Sequence, residues 1–300
     1  MSIDQAEQLR IDAMAADSAN SSPAGRPRSR KCRVVAVSSG KGGVGKTSLT
    51  LNLGLALIRL GYKVVIIDAD LGLANIDVMI NAIPRYNLAD VISGEKKVSD
   101  ILLRGPLDLK IVPGGSGVFE LANLDRGKRQ GLIDQLADLE NEGDYILIDT
   151  AAGLSRNVIS FVGAADDLIL VTTPEPTALT DAYGMLKVLA EKKLKYSSHI
   201  VVNSSRGMQQ GFKTFDGLNR VVCKYLPEMK LNYLGDVRYD PAVSSAVHSF
   251  SPFVISRPRS PASVSVSRIA WRVASRNNKA AEEKQGVAGF FERLKKIVCD

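Results

Sequence analysis

Residues 34–48 read Val34-Val35-Ala36-Val37-Ser38-Ser39-Gly40-Lys41-Gly42-Gly43-Val44-Gly45-Lys46-Thr47-Ser48. The apolar run Val34–Val37 has the length and β-branching of a buried strand. A helical pattern follows over Thr47–Leu60. Between them Gly40-x-x-x-x-Gly45-Lys46-Thr47 has the Walker A spacing, in the strand–loop–helix setting that motif requires. Glycines let backbone N–H groups approach phosphate oxygens, and the helix N-terminus adds partial positive charge. Lys46 is expected to reach the β- and γ-phosphates, and Thr47 to offer its hydroxyl to Mg²⁺. Gly40 to Ser48 is therefore the expected phosphate-binding stretch, and Lys41 adds a second cation to it.

Outward from this loop the chain alternates. Strand-length apolar runs recur at Val64–Ile67, Leu109–Val112, Tyr145–Ile148, Leu168–Thr172, His199–Val202 and Tyr233–Val237. Helical patterns occupy Lys128–Glu140, Ala178–Lys193 and Gly217–Tyr225, and a last one, Val264–Ala274, follows the breaks at Pro252, Pro258 and Pro261. Continuous β-branched strands separated by helices predict an α/β, P-loop NTPase fold: a largely parallel twisted sheet with helices on both faces. Ligands of such sheets bind at the carboxyl ends of the strands.

Acidic residues fall at those ends. Val64–Ile67 runs into Asp68-Ala69-Asp70, and Tyr145–Ile148 into Asp149. A carboxylate there can hold a Mg²⁺-bound water or orient an attacking one. Asp149 has the Walker B form, and Thr47, Asp68 and Asp149 are the metal-side candidates. Asp68 is also readable as a helix N-cap. Asn203, after His199–Val202, offers donor and acceptor to a base edge, or caps the next turn. Arg206 stands close enough in sequence to stack on or pair with a nucleotide.

Lys41 together with Asp68, Asp70 and Asn75 makes the chain similar to the deviant Walker A family that includes MinD and ParA. That resemblance implies ATP and ADP as ligands with Mg²⁺, and an ATP sandwiched in a face-to-face homodimer. It implies further that Lys41 reaches the partner's phosphates, that Asp70 positions the water, that Asp68 supports the metal and that Asn203 contacts adenine. Lys41, Lys46 and Asp70 are then the catalytic set. Thr150-Ala151-Ala152-Gly153 departs from the proline-containing form of that loop, and Arg238 stands where relatives carry proline.

Composition sets the surroundings. Of 300 residues 45% are hydrophobic, enough for a full core. The net charge of +7 is uneven: residues 34–256 hold 23 basic against 24 acidic groups, residues 1–33 hold 6 against 4, and residues 257–300 hold 10 against 4. Basic tails suit anionic lipid or nucleic acid. Cys32, Cys223 and Cys299 have no metal or disulfide spacing, which predicts a reducing compartment. Asp4, Glu7 and Asp12 interrupt any signal-like apolar stretch. A cytoplasmic location, peripheral to the inner face of the cell membrane, is expected.

The ends complete the layout: residues 1–17 a partner-activating segment, 18–32 a Ser/Pro/Gly/Arg-rich linker, 33–275 the ATPase domain, 276–285 a polar linker and 286–300 an amphipathic membrane-targeting helix. In the last, Val287, Phe290, Phe291, Leu294, Ile297 and Val298 share one helical face bordered by Arg293, Lys295 and Lys296. Docking of that helix on its own domain is the competing reading. Asp4-Gln5-Ala6-Glu7-Gln8-Leu9-Arg10 resembles the leading motif of the FlhG family, also called YlxH or FleN, and Pro113–Gly117 and Pro174–Tyr183 are further stretches similar to that family. The resemblance implies control of the number and placement of bacterial flagella. It also implies stimulation of the signal-recognition-particle-type GTPase FlhF through Asp4, Gln5, Leu9 and Arg10, and contact with basal-body or transcription components. A ParA-like DNA-partitioning ATPase, its arginines gripping DNA, and a MinD-like division-site regulator are the alternatives.

Overall fold

The computed structural model describes residues 32–70, 76–114, 126–277 and 286–299. In chain order the elements are β1 (Arg33–Ser38), α1 (Lys46–Arg59), β2 (Val64–Ala69), α2 (Ile76–Met79), α3 (Leu88–Ile92), α4 (Val98–Ile101), β3 (Leu103–Arg104), β4 (Lys110–Val112), α5 (Arg126–Ala137), β5 (Tyr145–Thr150), α6 (Arg156–Ala164), β6 (Asp167–Thr172), α7 (Pro176–Glu191), β7 (Ser197–Ser205), α8 (Met208–Tyr225), β8 (Lys230–Arg238), α9 (Pro241–His248), α10 (Phe253–Ser256), α11 (Pro261–Asn277) and α12 (Gly286–Cys299).

One sheet takes the order β3-β4-β2-β5-β1-β6-β7-β8. Every pairing is parallel except β3 with β4. The α/β sheet expected from the alternation is therefore observed. Side chains alternate across it with the strand period of two. Val34, Ala36, Ile146, Ile148, Leu168 and Leu170 face the layer that contains α5, α6, α7 and α8. Val35, Val37, Ile66, Leu147 and Ile169 face α1 and α11. Strands buried on both faces leave no polar alternation, which is why they read as unbroken apolar runs.

Several boundaries differ from expectation. α8 begins at Met208, nine residues before the expected Gly217, because its first turns pack glycine and polar residues rather than a periodic apolar stripe. α6 was not expected at all: Val158 to Ala164 is buried throughout, and a helix without a polar face gives no helical period. β3 is two residues long, too short to register as a pattern. α11 runs on to Asn277, into the expected linker. Cys32, assigned to the first linker, is 2% exposed and belongs to the core.

α12 lies against the domain. Val287, Phe290, Phe291 and Leu294 are buried in the same cluster as Val158, Phe161 and Val162 of α6. Phe290 stacks on Phe161 at 6.3 Å. Arg293 donates to Ala164 O and to Asp166 Oδ1, each at 2.7 Å. The apolar face read as membrane-facing is thus occupied by protein in this conformation. Ile297 is partly buried, while Lys296 is exposed and Lys295 less so. Among the described residues no helix is long and apolar enough to cross a membrane. Asp4, Gln5, Leu9 and Arg10, Asn75 and both linkers apart from their end residues lie outside the described residues.

Candidate nucleotide site

The loop of residues 40–45 sits at the carboxyl end of β1 and turns into α1. Gly43 and Gly45 have φ of 77° and 85°, left-handed values that turn successive N–H groups inward as an anion-binding nest. Gly45 has a second reason to be glycine: a Cβ there would lie 2.3 Å from Asn203 Nδ2. At Gly40 a Cβ would lie 2.3 Å from the Asp181 carbonyl of α7, so the loop rests directly on that helix.

The strand ends then deliver charge. β2, β5 and β1 are neighbours, and Asp68 lies in register with Asp149. Lys46 Nζ is 2.9 Å from Asp149 Oδ1, and both side chains are buried. Thr50 Oγ1 donates to the same oxygen at 2.9 Å. Burial raises the Asp149 pKa; attraction to Lys46 and the hydrogen bonds offset this only in part. Asp68 is 2% exposed, and its two oxygens accept from the backbone N–H of Asp70 at 3.0 Å and of Ile76 at 3.5 Å. It thus ties the start of α2 to the end of β2, in register beside Asp149. Asp70 follows it at the strand end, partly exposed.

Lys41 lies outside this buried pair. Its Nζ contacts Glu175 Oε2 and Thr177 Oγ1, both at 3.0 Å, at the start of α7. Asn203 donates from Nδ2 to Val44 O at 2.7 Å, tying the end of β7 to the loop. Arg206 is exposed at the turn before α8, and its backbone N–H donates to Gln210 Oε1.

The sequence model of the ParA family, described as NUBPL iron-transfer P-loop NTPase, matches residues 31–274. The chain is 40% identical over 243 residues to the antiactivator FleN of Pseudomonas aeruginosa, covering 81% of this chain and 86% of that protein. The chain belongs to the FlhG (FleN/YlxH) branch of the ParA/MinD family of P-loop ATPases. It is also 33% identical over 271 residues to the flagellum site-determining protein YlxH of Helicobacter pylori, with 89% and 90% covered. Among solved structures, the MinD of Pyrococcus horikoshii complexed with Mg-ADP matches with a TM-score of 0.65 at 26% identity, covering 84% of this chain and 99% of that one. The MinC:MinD complex of Aquifex aeolicus matches at 0.64 and 26%, covering 81% and 96%.

The residues of this FlhG-branch ATPase fit a magnesium nucleotide. Asp149 Oδ2 and Ser48 Oγ are buried without a hydrogen-bond partner at the base of the loop. Such orphans are rare away from sites that supply the missing partner. Thr47, Asp68 and Asp149 supply the oxygen chemistry a hard cation takes. Lys46 and Thr50 meet Asp149 at the base of the loop, with Asp68 in register beside it, and Asn203 reaches the loop from β7, while Lys41 turns to the start of α7. Thr50, Glu175 and Thr177 were not expected. Thr50 lies one helical turn after Lys46 and could have been found from that i, i+4 spacing. Glu175 and Thr177 come from the start of α7, distant in sequence, and the sequence carries no signal for their approach.

Proposed function

We propose that this ATPase is a dimerising, membrane-cycling switch that governs the number and placement of bacterial flagella and stimulates the GTPase FlhF through residues 4–10. The carrying observation is the 40% identity to an antiactivator FleN over a nucleotide loop with a second lysine, Lys41, at its surface.

Bound Mg²⁺ supplies charge neutralisation and orients the phosphates for attack by water. The chain's own groups do the rest. Lys46 and Asp149 pair at the base of the loop, which offsets part of the cost of holding a cation and a carboxylate in a dry site. Asn203 gives one amide hydrogen to Val44 O and keeps a second N–H and Oδ1 for a base edge. Donor and acceptor together suit the amino group and ring nitrogen of adenine. Asp70 orients the water, and Asp68 fixes the segment that carries it. Lys41 is partly exposed, on a long flexible stem, and in the proposed dimer reaches the partner's phosphates. Hydrolysis then waits on dimerisation, the logic of a timer.

The docked α12 gives the membrane step a physical form. Its apolar face is committed to the domain in one state and free for lipid in the other, and two free helices on a dimer bind far more tightly than one. The proposal is tested by deleting residues 1–17 and assaying FlhF GTPase, and by flotation with ATP and with ADP. Loss of stimulation and ATP-dependent flotation are expected. Full stimulation by the truncated chain would remove the FlhF assignment. Retention on DNA with no flotation would favour the partitioning alternative.

A further inference from the structure

The strands present their amino ends, opposite the nucleotide loop, to a rim made by two turns and the end of α12. The turn between α7 and β7 carries Lys192, Lys193 and Tyr196; the end of α8 carries Lys224 and Tyr225, and β8 opens on Lys230. All four lysines are exposed, and the tyrosines are 50% and 60% exposed. The two turns are joined: Lys230 N donates to Tyr196 O at 2.8 Å, and Ser197 lies in register with Lys230. Lys224 Nζ lies 5.1 Å from the centre of the Tyr225 ring.

Tyr225 closes α8 and is 60% exposed. On the other flank of α8 Met208 meets Arg268 of α11 and Phe212 meets Tyr233 of β8, both side chains still about half exposed. Val221, one turn before Tyr225 on the same flank, is 42% exposed. α12 ends at this rim. Ile297 and Leu194 both pack on Gly163, at 3.1 and 3.2 Å from where its Cβ would be, and Lys296 is exposed beside them. Of the acidic groups near it, Asp166 and Asp167 are taken up by Arg293 and Arg33, Glu191 is paired with Lys187 at 3.7 Å, and Glu228 and Glu292 are exposed.

Exposed lysines alone describe a solvated face. Half-exposed tyrosines interleaved with them describe something else, since an amphipathic ring placed among cations suits the boundary between water and lipid headgroups. We infer that this rim is a second membrane contact, an anionic-lipid surface built into the ATPase domain itself, on which the lysines meet headgroup phosphates while Tyr196 and Tyr225 sit at headgroup level. The inference rests on the membrane-cycling reading and extends it. The rim recognises the charge of the leaflet, and α12, once free, supplies apolar insertion. One short helix with two or three basic residues binds marginally, and a preformed basic surface beside it raises the affinity without a new segment having to fold.

The test is flotation of the full chain, with a non-hydrolysable ATP analogue, on vesicles of phosphatidylethanolamine with phosphatidylglycerol and on vesicles of phosphatidylcholine alone. One variant carries Lys192→Glu, Lys193→Glu, Lys224→Glu and Lys230→Glu; a second carries Tyr196→Ser and Tyr225→Ser; a third is truncated after Gln285. Melting temperature and ATP turnover serve as folding controls. The rim predicts that the lysine variant binds anionic vesicles at least ~10-fold more weakly, with its weak binding to neutral vesicles unchanged, and that the tyrosine variant loses affinity on both. Wild-type flotation by both variants, with none by the truncated chain, would overturn the rim and leave the helix standing. Residual anionic-lipid binding by the truncated chain that the lysine substitutions abolish would support the rim even if α12 is not the anchor. No flotation of the wild type would overturn both readings together, and unchanged flotation with lost DNA retention in the lysine variant would reassign the surface to nucleic acid.

Discussion

Lys46 and Asp149 are the closest opposite charges in the buried half of the site, 2.9 Å apart. Removing one partner of such a pair strands the other in a dry environment, at a cost of about 3–5 kcal/mol. Lys46→Ala is therefore expected to abolish MgATP binding in calorimetry and also to lower the denaturant midpoint. Adding Asp149→Asn should restore most of the stability and none of the binding. A double variant as unstable as the single one would show that the two groups are not coupled. The residues that carry this chemistry were legible because a phosphate loop constrains spacing so tightly: Gly40, Gly45, Lys46 and Thr47 allow few other uses. The contacts of Lys41 with Glu175 and Thr177 were not legible, because they join segments 134 and 136 residues apart through exposed side chains.

At the level of the element, α12 is where pattern and packing diverge. Its sequence states only that one face is apolar. It does not state whether protein or lipid covers that face, since both are equally dry. The structure covers it with α6, and Phe290 is 1% exposed between Phe161 and Phe291. Phe290→Ala is expected to destabilise the nucleotide-free protein by about 3–5 kcal/mol, the range for emptying a buried aromatic site. An unchanged melting curve would mean that the helix is not docked in solution. The same ambiguity explains α6, whose residues show no helical period because both flanks are covered. It also explains why the sheet was readable, since continuous β-branched runs have few other uses at that length.

Across the whole molecule, chemistry sits at one edge of the sheet and a buried ionic cluster at the other. There Asp167 pairs with Arg33, and its Oδ1 lies 3.5 Å from His199 Nε2. Burial alone would raise the Asp167 pKa, but the hydrogen bonds from His199 and Arg33 outweigh it and hold the carboxyl well below its usual range. A depressed carboxylate means that the unfolded chain binds more protons than the folded one as the solution is acidified. Its stabilisation is thus complete above the ordinary aspartate value of about 4 and is lost as pH falls below it. Asp167→Asn should lower stability at neutral pH and flatten the acid limb of the melting temperature; a limb as steep as in the wild type would place the acid sensitivity elsewhere. The central claim, however, concerns the opposite edge: that a triphosphate held by two lysines joins two copies of the chain. It is tested most directly by the molar mass of the Asp70→Ala variant in size exclusion with light scattering, with MgADP and with MgATP. The account predicts a monomer with ADP and a stable dimer with ATP. A monomer in both nucleotides would contradict it.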